Sequence, residues 1–176
     1  MNLPNKLTLI RVIAVPFFII LFLMEKYPAA LVIFVAASIT DYFDGKIARE
    51  QNLVTNFGKI MDPLADKILV YSALCLFIEV ELIDAWMLIV ILAREFIIAG
   101  MRTVAASEGR VLAAGMSGKI KTALQMVSVC IILLGLAVPD VPKIVIVGYY
   151  VFLLSLVMTI YSGCEYVIKN KDVFSM

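Results

Sequence analysis

Four aspartates in two pairs are the residues of this chain best placed to do chemistry. Asp41 and Asp44 are three positions apart, and Asp62 and Asp66 are four apart. Residues at these spacings share one face of a helix, so each pair can present two carboxylates together. Clustered carboxylates repel one another, most of all beside a membrane, unless a cation lies between them. Because Mg²⁺ and Mn²⁺ prefer oxygen ligands, the pairs predict a site for two divalent cations held by all four aspartates.

The residues around the aspartates indicate a cavity of phosphate size. Gly45, Ala48 and Gly58 each stand four positions from one of the aspartates. Small residues leave room for a ligand or for close helix packing. The guanidinium of Arg49 is a fork-shaped donor suited to phosphate. A proton-conducting or cation-conducting acidic site is the alternative interpretation of the same residues.

The composition identifies the chain as a multi-pass membrane protein. Of its 176 residues, 63% are hydrophobic and the mean hydropathy is +1.03, whereas a soluble domain is about 45–50% apolar. A spanning helix needs roughly 20 apolar residues, and the apolar segments lie at about 12–24, 29–47, 57–80, 85–106, 120–138 and 144–168. The predicted fold is an all-α integral membrane protein, one domain over 1–176, with six transmembrane helices and a short N-terminal amphipathic helix.

Several kinds of site are excluded by the composition. The chain has no histidine, which excludes His-metal sites, Ser-His-Asp triads and histidine general bases. Its three cysteines are far apart and form no CxxC motif, so neither a zinc site nor a disulfide is expected. The net charge of +1 indicates no particular partner, and no nucleic acid is expected.

The charges of the loops predict the orientation in the membrane. One side of the predicted helices carries ten Lys and Arg residues, and the other carries only Lys26 and Lys143. Because cytoplasmic loops are enriched in Lys and Arg, both termini and the four aspartates are expected at the cytoplasmic face. The expected location is the inner (cytoplasmic) cell membrane.

The aspartate stretch resembles the signature of a known family. Residues 41–66 read D-x-x-D-G-x-x-A-R, eight further residues, and G-x-x-x-D-x-x-x-D. This pattern, with all eight fixed positions present, resembles that of the CDP-alcohol phosphatidyltransferases. The resemblance implies that Asp41, Asp44 and Asp62 hold the metals, with Asp66 touching one of them, and that the metals bind the pyrophosphate of a CDP-linked lipid.

The same resemblance implies the chemistry and its participants. Asp66 is expected to act as general base on an acceptor hydroxyl, which attacks the lipid-side phosphorus and expels CMP. The residues expected to bind the CDP-lipid are Asn5, Thr8, Asp41, Asp44, Gly45, Ala48, Arg49, Gly58 and Asp62. A homodimer embedded among membrane lipids is also implied.

Three other segments resemble family members that use sn-glycerol 3-phosphate. They are Pro4-Asn5-x-x-Thr8-x-x-Arg11, Ala93-Arg94-Glu95 followed by Arg102, and residues 118–122 followed by Gln125. The implied reaction converts CDP-diacylglycerol and sn-glycerol 3-phosphate to phosphatidylglycerophosphate and CMP, a step in phospholipid biosynthesis. Serine, inositol phosphate or phosphatidylglycerol are the alternative acceptors, and a metal-dependent membrane prenyltransferase or an ion transporter is the alternative outside the family.

An anionic acceptor needs a cationic pocket, and four cations are predicted to form it: Arg102, Arg110, Lys119 and Lys121. A polar stripe at helical spacing runs from this region into the fifth helix through Ser117, Lys121, Gln125 and Ser128. The alternative is that these residues only follow the positive-inside rule and form a hydrogen-bonded seam between helices.

Three further polar positions carry structural expectations. Glu95 and Arg102 are seven positions apart, so Arg94 and Glu95 are predicted to position Arg102. Arg11 either extends to the lipid head groups or takes part in the site. Pro63 either opens the third helix or kinks it.

Overall fold

The computed structural model describes the backbone of residues 3–50, 56–113 and 115–173, and the side chains of residues 8–40, 64–65, 67–113 and 115–173. Every regular element within these residues is helical, which confirms the all-α prediction. The helices are α1 (Leu3–Leu23), α2 (Tyr27–Glu50), α3 (Asn56–Glu79), α4 (Ala85–Ser107), α5 (Met116–Ala137) and α6 (Lys143–Lys169), followed by a 3₁₀ turn at Lys171–Val173. From α2 onward, each helix matches its predicted segment to within four residues at both ends.

The start of the chain corrects the prediction of a separate amphipathic helix. From Leu3 onward, the residues that precede the first apolar segment belong to α1, which runs unbroken from Leu3 to Leu23 and continues through Pro16. Thr8 and Arg11 are each 1% exposed. This face of α1 is therefore packed inside the protein, and the alternative in which Arg11 extends to the lipid head groups is wrong.

Pro63 lies well inside α3, which begins at Asn56. The alternative in which this proline opens the helix is therefore wrong. Proline removes one backbone hydrogen bond and crowds the preceding turn, yet the helix continues for four more turns.

Two of the described helices, α5 and α6, are long and apolar enough to cross a membrane by themselves. Shorter apolar helical stretches occur at Thr8–Leu23 and Tyr27–Thr40. Charged residues lower the apolar character of α2, α3 and α4. The helices support an integral membrane protein, while the number that cross the bilayer stays a prediction.

An aromatic cluster holds the first three helices together. The ring centroids of Phe18 and Phe34 are 5.8 Å apart, and those of Phe22 and Phe77 are 6.0 Å apart. Tilted ring pairs at such distances add to the stabilisation from burial. The same core continues into the last three helices through Ile91, Ile132, Leu133 and Phe152, none of which is more than 1% exposed.

A smaller apolar cluster lies nearer the C-terminus. It joins α4, α6 and the final turn through Ile98, Met101, Ala105, Tyr166 and Val173. Burial of Val173 fixes the end of the described chain against the helices. The bundle therefore has two apolar centres, with the polar residues of α4 between them.

Helices α5 and α6 pack closely against each other. A Cβ atom added to Gly135 would lie 2.7 Å from the backbone nitrogen of Val145, and one added to Gly148 would lie 2.9 Å from that of Ile132. Only glycine permits such close backbones. These two positions therefore set the spacing of the helix pair.

Candidate active site

The predicted motif occupies the ends of two consecutive helices. Asp41 to Arg49 lie in the second half of α2, and Gly58 to Asp66 lie in the first half of α3. These stretches lie at one end of the bundle, the motif end, because only residues 51–55 separate α2 from α3. The side chains of Asp41, Asp44, Asp62 and Asp66, like those of Gly45, Ala48, Arg49 and Gly58, lie outside the described residues.

The metal site therefore stays a prediction. Among the described side chains no group of acidic or cysteine residues could hold a metal ion, and the four aspartates are not among those side chains. Four carboxylates at the ends of adjoining helices are a donor set that suits Mg²⁺ or Mn²⁺. The backbone brings the two predicted pairs to the same end of the bundle, which fits a shared cation site.

A recess of about 80 Å³ lies beside the motif, between α2, α3, α4 and α5. Ser38 stands three positions before Asp41, and Val70 stands four positions after Asp66. Lys67 of the lining follows Asp66 directly, so the recess begins within about one helical turn, roughly 5.4 Å, of the motif along both helices. Its lining is Ser38, Lys67, Leu69, Val70, Tyr71, Glu95, Lys121, Thr122, Gln125 and Met126.

Glu95 is the centre of a buried charge cluster in this lining. Its Oε2 atom lies 2.9 Å from the Nζ atom of Lys67, and its Oε1 atom lies 2.5 Å from that of Lys121. Oε1 also accepts a hydrogen bond from the Nη1 atom of Arg94 at 2.8 Å. We call these four residues the Glu95 cluster, and it joins α3, α4 and α5.

Burial makes the charge balance of the Glu95 cluster important. The side chain of Lys121 is 4% exposed and that of Glu95 is 11% exposed. Three cations share one carboxylate, so two positive charges are in excess among the described residues. Uncompensated charge is costly in a low-dielectric environment. The cluster is therefore suited to receive an anion from the recess.

The prediction that Arg94 and Glu95 position Arg102 is wrong. Arg102 instead donates a hydrogen bond from Nε to the hydroxyl of Tyr166 at 3.1 Å, and its guanidinium carbon lies 5.4 Å from the centre of that ring. Seven residues of helix span about 10.5 Å. Glu95 therefore bonds to cations on neighbouring helices, which lie closer to it than a residue two turns along its own helix.

Arg94 crosses from α4 to α6 through a narrow gap between glycines. Its Nη2 atom donates to the hydroxyl of Ser162 at 3.1 Å. A Cβ atom added to Gly163 would lie 2.9 Å from the Cγ atom of Arg94, and one added to Gly118 would lie 3.2 Å from its Nη2 atom. The two glycines therefore make room for the arginine side chain, which in turn holds Glu95.

The four cations predicted to bind the acceptor phosphate have different surroundings. Lys121 bonds to Glu95, Arg102 bonds to Tyr166, and Lys119 is exposed. Arg110 forms an ion pair with Asp172 and lies 3.8 Å from Glu108. The hydrogen bond from Arg110 lowers the pKa of the Asp172 carboxyl below its usual value. Only Lys121 among the four lines the recess.

The polar stripe of α5 is divided between two roles. The hydroxyl of Ser117 donates to Glu165 of α6, and that of Ser128 donates to the backbone oxygen of Gln125. The first bond joins α5 to α6 and fits the hydrogen-bonded seam, whereas the second lies within α5. Gln125, which is 3% exposed, has an amide nitrogen that finds no partner among the described residues. A buried amide in this state costs about 1–3 kcal/mol.

Four further polar residues lie inside the bundle or beside the motif: Thr8 and Arg11 of α1, and Lys67 and Tyr71 of α3. Thr8 and Arg11 are buried within the bundle, while the side chain of Asn5 lies outside the described residues. Lys67 and Tyr71 line the recess although the sequence suggested no role for either. Their spacing of four, directly after Asp66, was the only sign that they share a helix face beside the motif.

Comparison with known proteins identifies the family. Residues 1–161 match the family model for CDP-alcohol phosphatidyltransferase. A Bacillus subtilis protein named CDP-diacylglycerol–glycerol-3-phosphate 3-phosphatidyltransferase is 42% identical over 97% of this chain and 96% of its own length. Proteins of the same name from Rickettsia typhi and Shigella flexneri serotype 5b are 38% and 37% identical, over 98% and 94% of this chain and over 99% and 92% of their own lengths. The chain belongs to the CDP-alcohol phosphatidyltransferase family.

Proposed function

We propose that the protein transfers a phosphatidyl group from CDP-diacylglycerol to sn-glycerol 3-phosphate, forming phosphatidylglycerophosphate and CMP. Relatives that carry the name of this activity match the chain from end to end. The structural observation that supports the anionic acceptor is the excess of two positive charges in the Glu95 cluster. A neutral acceptor such as serine would bring no counterion for that excess, which is counted over the described side chains.

The reaction is a direct displacement at the phosphorus on the lipid side of the pyrophosphate. Asp66 takes the proton of the acceptor hydroxyl, whose oxygen forms the new bond to phosphorus. The bond from phosphorus to the CMP oxygen breaks, and CMP leaves with the electron pair. Asp41, Asp44, Asp62 and Asp66 would hold two divalent cations, which when bound would supply positive charge for the pyrophosphate and the leaving group.

The remaining motif residues bind the nucleotide and its lipid. Gly45, Ala48, Arg49 and Gly58 line the cytidine diphosphate, and Asn5 and Thr8 contribute from α1. Lys119, Arg102 and Arg110 attract the anionic acceptor near the motif end of α4 and α5. Lys121, together with Lys67, then lies against its phosphate.

The loop charges support a cytoplasmic position for the motif end and both termini in the inner membrane. Water-soluble glycerol 3-phosphate and CMP then enter and leave from the cytoplasm. The homodimer is proposed from the resemblance to the family.

An assay of CMP release tests the function. Purified protein is mixed with CDP-diacylglycerol and, in turn, with glycerol 3-phosphate, serine, inositol phosphate and phosphatidylglycerol. We expect release with glycerol 3-phosphate above all others. Release that is fastest with another acceptor would refute the assignment of the substrate while leaving the family intact.

The metal requirement is tested by removal of the cations. EDTA should abolish turnover, and Mg²⁺ or Mn²⁺ should restore it. Turnover that survives the chelator would contradict the predicted site.

The base is tested by Asp66→Asn. This variant should lose turnover but keep most of its affinity for CDP-diacylglycerol, because it removes the proton acceptor and keeps the shape of the side chain. Full activity of the variant would rule out the role of Asp66 as general base.

Lys119→Ala is the cleanest test of acceptor attraction, because Lys119 is exposed. It should raise the KM for glycerol 3-phosphate more than the KM for CDP-diacylglycerol. The same ranking is expected for Lys121→Ala, with a loss of stability besides, since Lys121 is buried. A larger rise in the KM for CDP-diacylglycerol would mean that the acceptor phosphate binds elsewhere.

A further inference from the structure

The recess beside the motif has room for more than ordered water. Its volume is about 80 Å³, whereas one water needs about 10–15 Å³ of such space. Its charged groups are Lys67, Glu95 and Lys121, and its neutral polar groups come from Ser38, Tyr71, Thr122 and Gln125. The polar groups of this lining would match a ligand that combines an anionic group with hydroxyls.

Gln125 contributes to this lining a buried amide nitrogen with no partner among the described residues. It is 3% exposed, and its Nε2 atom makes no hydrogen bond within the described part of the chain. The neighbouring polar groups of α5 do not bond to this nitrogen. The Nζ atom of Lys121 is bonded to Glu95, and the Ser128 hydroxyl donates to the backbone. Buried amides are almost always hydrogen-bonded, so an unsatisfied one in a recess wall indicates a ligand.

The position of Gln125 relative to Lys121 suggests which part of the ligand it meets. The two residues are four apart in α5, which places them about 5–6 Å apart on one helix face. A phosphate held at Lys121 would bring the next carbon of a short polyol phosphate beside Gln125. An amide both donates and accepts, as a hydroxyl does, and the two groups can satisfy each other.

We propose that Gln125 is a specificity-determining residue that recognises the acceptor hydroxyl next to the phosphate, which in glycerol 3-phosphate is the hydroxyl on C2. This inference rests on the proposed function, because that function supplies the acceptor. The residue would then favour polyol phosphates over simple alkyl phosphates, while the reacting hydroxyl on C1 lies toward Asp66.

The experiment compares two acceptors that differ by this one hydroxyl. CMP release by the purified full-length protein is measured with sn-glycerol 3-phosphate and with 3-hydroxypropyl phosphate, which lacks the C2 hydroxyl. The variants are Gln125→Met, which keeps the length of the side chain, and Gln125→Leu as a second version. Ser128→Ala is the matched control, since Ser128 is buried one turn deeper on the same stripe but does not line the recess.

Wild type should prefer glycerol 3-phosphate, and the Gln125 variants should lose that preference. We expect kcat/KM for glycerol 3-phosphate to fall about tenfold or more, equivalent to about 1.4 kcal/mol, with less than about a twofold change for 3-hydroxypropyl phosphate. Ser128→Ala should keep the wild-type ratio between the two acceptors.

Three results would overturn the inference. They are an equal loss with both acceptors, an unchanged ratio in both Gln125 variants, and a ratio altered as much by Ser128→Ala. If wild type releases CMP only with a different acceptor, the proposed function fails separately. The same pair of measurements with that acceptor and its deoxy analogue then decides the role of Gln125.

Discussion

Glycines serve different purposes in the two halves of the bundle. Near the motif end, Gly118 and Gly163 leave space for the side chain of Arg94. Toward the opposite end, Gly135 and Gly148 leave space for the backbone of the neighbouring helix. A side chain can rearrange, whereas two packed backbones must separate as units. The comparison therefore predicts that Gly→Ala substitutions at these four positions destabilise the protein to different degrees. The loss depends on whether each glycine faces a side chain or a backbone.

Removal of the Glu95 carboxylate should cause the largest loss of stability. Glu95→Gln removes the one carboxylate shared by Lys67, Arg94 and Lys121, and leaves Lys121 buried without a counterion. Loss of one partner in a buried pair costs about 3–5 kcal/mol, or a decrease in Tm on the order of 10 °C. Thermal unfolding in detergent measures it. Lys67→Gln is the comparison: it should cost far less, since Lys67 is 43% exposed and Glu95 keeps two cations. Equal costs would mean that the cluster is not centred on Glu95.

Gly148→Ala, at the contact between α5 and α6, should cause the next largest loss of stability. The added methyl group would lie 2.7 Å from a side-chain carbon of Ile132 and 2.9 Å from its backbone nitrogen. Relief requires α5 and α6 to move apart, and such overpacking costs about 1–3 kcal/mol. The same thermal measurement should show a lower Tm, with Gly135→Ala behaving alike. An unchanged Tm in both would show that the helix pair is less tightly packed than the structure indicates.

Gly163→Ala should have an intermediate effect that depends on Arg94. Its methyl group meets the Cγ atom of Arg94 at 2.9 Å, and a displaced arginine would loosen Glu95. We expect a loss of about 1 kcal/mol and a higher KM for glycerol 3-phosphate with little change for CDP-diacylglycerol. In an Arg94→Ala background the substitution should add almost nothing, because the clash is gone. If the stability losses of Gly163→Ala and Arg94→Ala add, the effect of Gly163→Ala does not arise from its contact with Arg94.

Gly118→Ala should have the smallest effect of the series. The nearest atom to its added methyl group is the terminal Nη2 atom of Arg94, at 3.2 Å, a longer distance than at the other three glycines. Gly100→Ala is the matched control in α4, with no atom within 4 Å of the added carbon. Alanine favours a helix over glycine by up to about 1 kcal/mol, so Gly100→Ala should not lower the Tm. A lower Tm for the control would show that these helices resist alanine for reasons other than contact.

The fold was largely predictable because long apolar segments mark membrane helices directly. Polar residues such as Glu25 and Lys26 separate these segments clearly, so the ends of α2 to α6 fell within four residues of the prediction. The start of α1 was not predictable in the same way. An amphipathic segment looks alike whether it lies on a membrane or packs inside a bundle, and only the burial of Thr8 and Arg11 distinguishes the two.

Sequence spacing could group only those candidate site residues that lie close together in the chain. The aspartate motif occupies 26 consecutive residues, and helical spacing was enough to group it. The partners of Glu95 were not predictable, because Lys67 and Lys121 lie 28 and 26 positions away on other helices. Sequence spacing offered Arg102 on the same helix instead, and that prediction was wrong. Which helices adjoin α4 is a property of the fold as a whole.

The Glu95 cluster also constrains how the chain enters the bilayer during synthesis. Arg94 and Glu95 lie near the middle of α4, where one arginine costs about 2.5–3.5 kcal/mol to insert. Lys67 is translated before α4, but Lys121 and Ser162 are translated after it. If α4 crosses the bilayer, we expect it to insert poorly by itself and to be stabilised there when α5 and α6 arrive. These last two helices are long and apolar enough to cross a membrane by themselves.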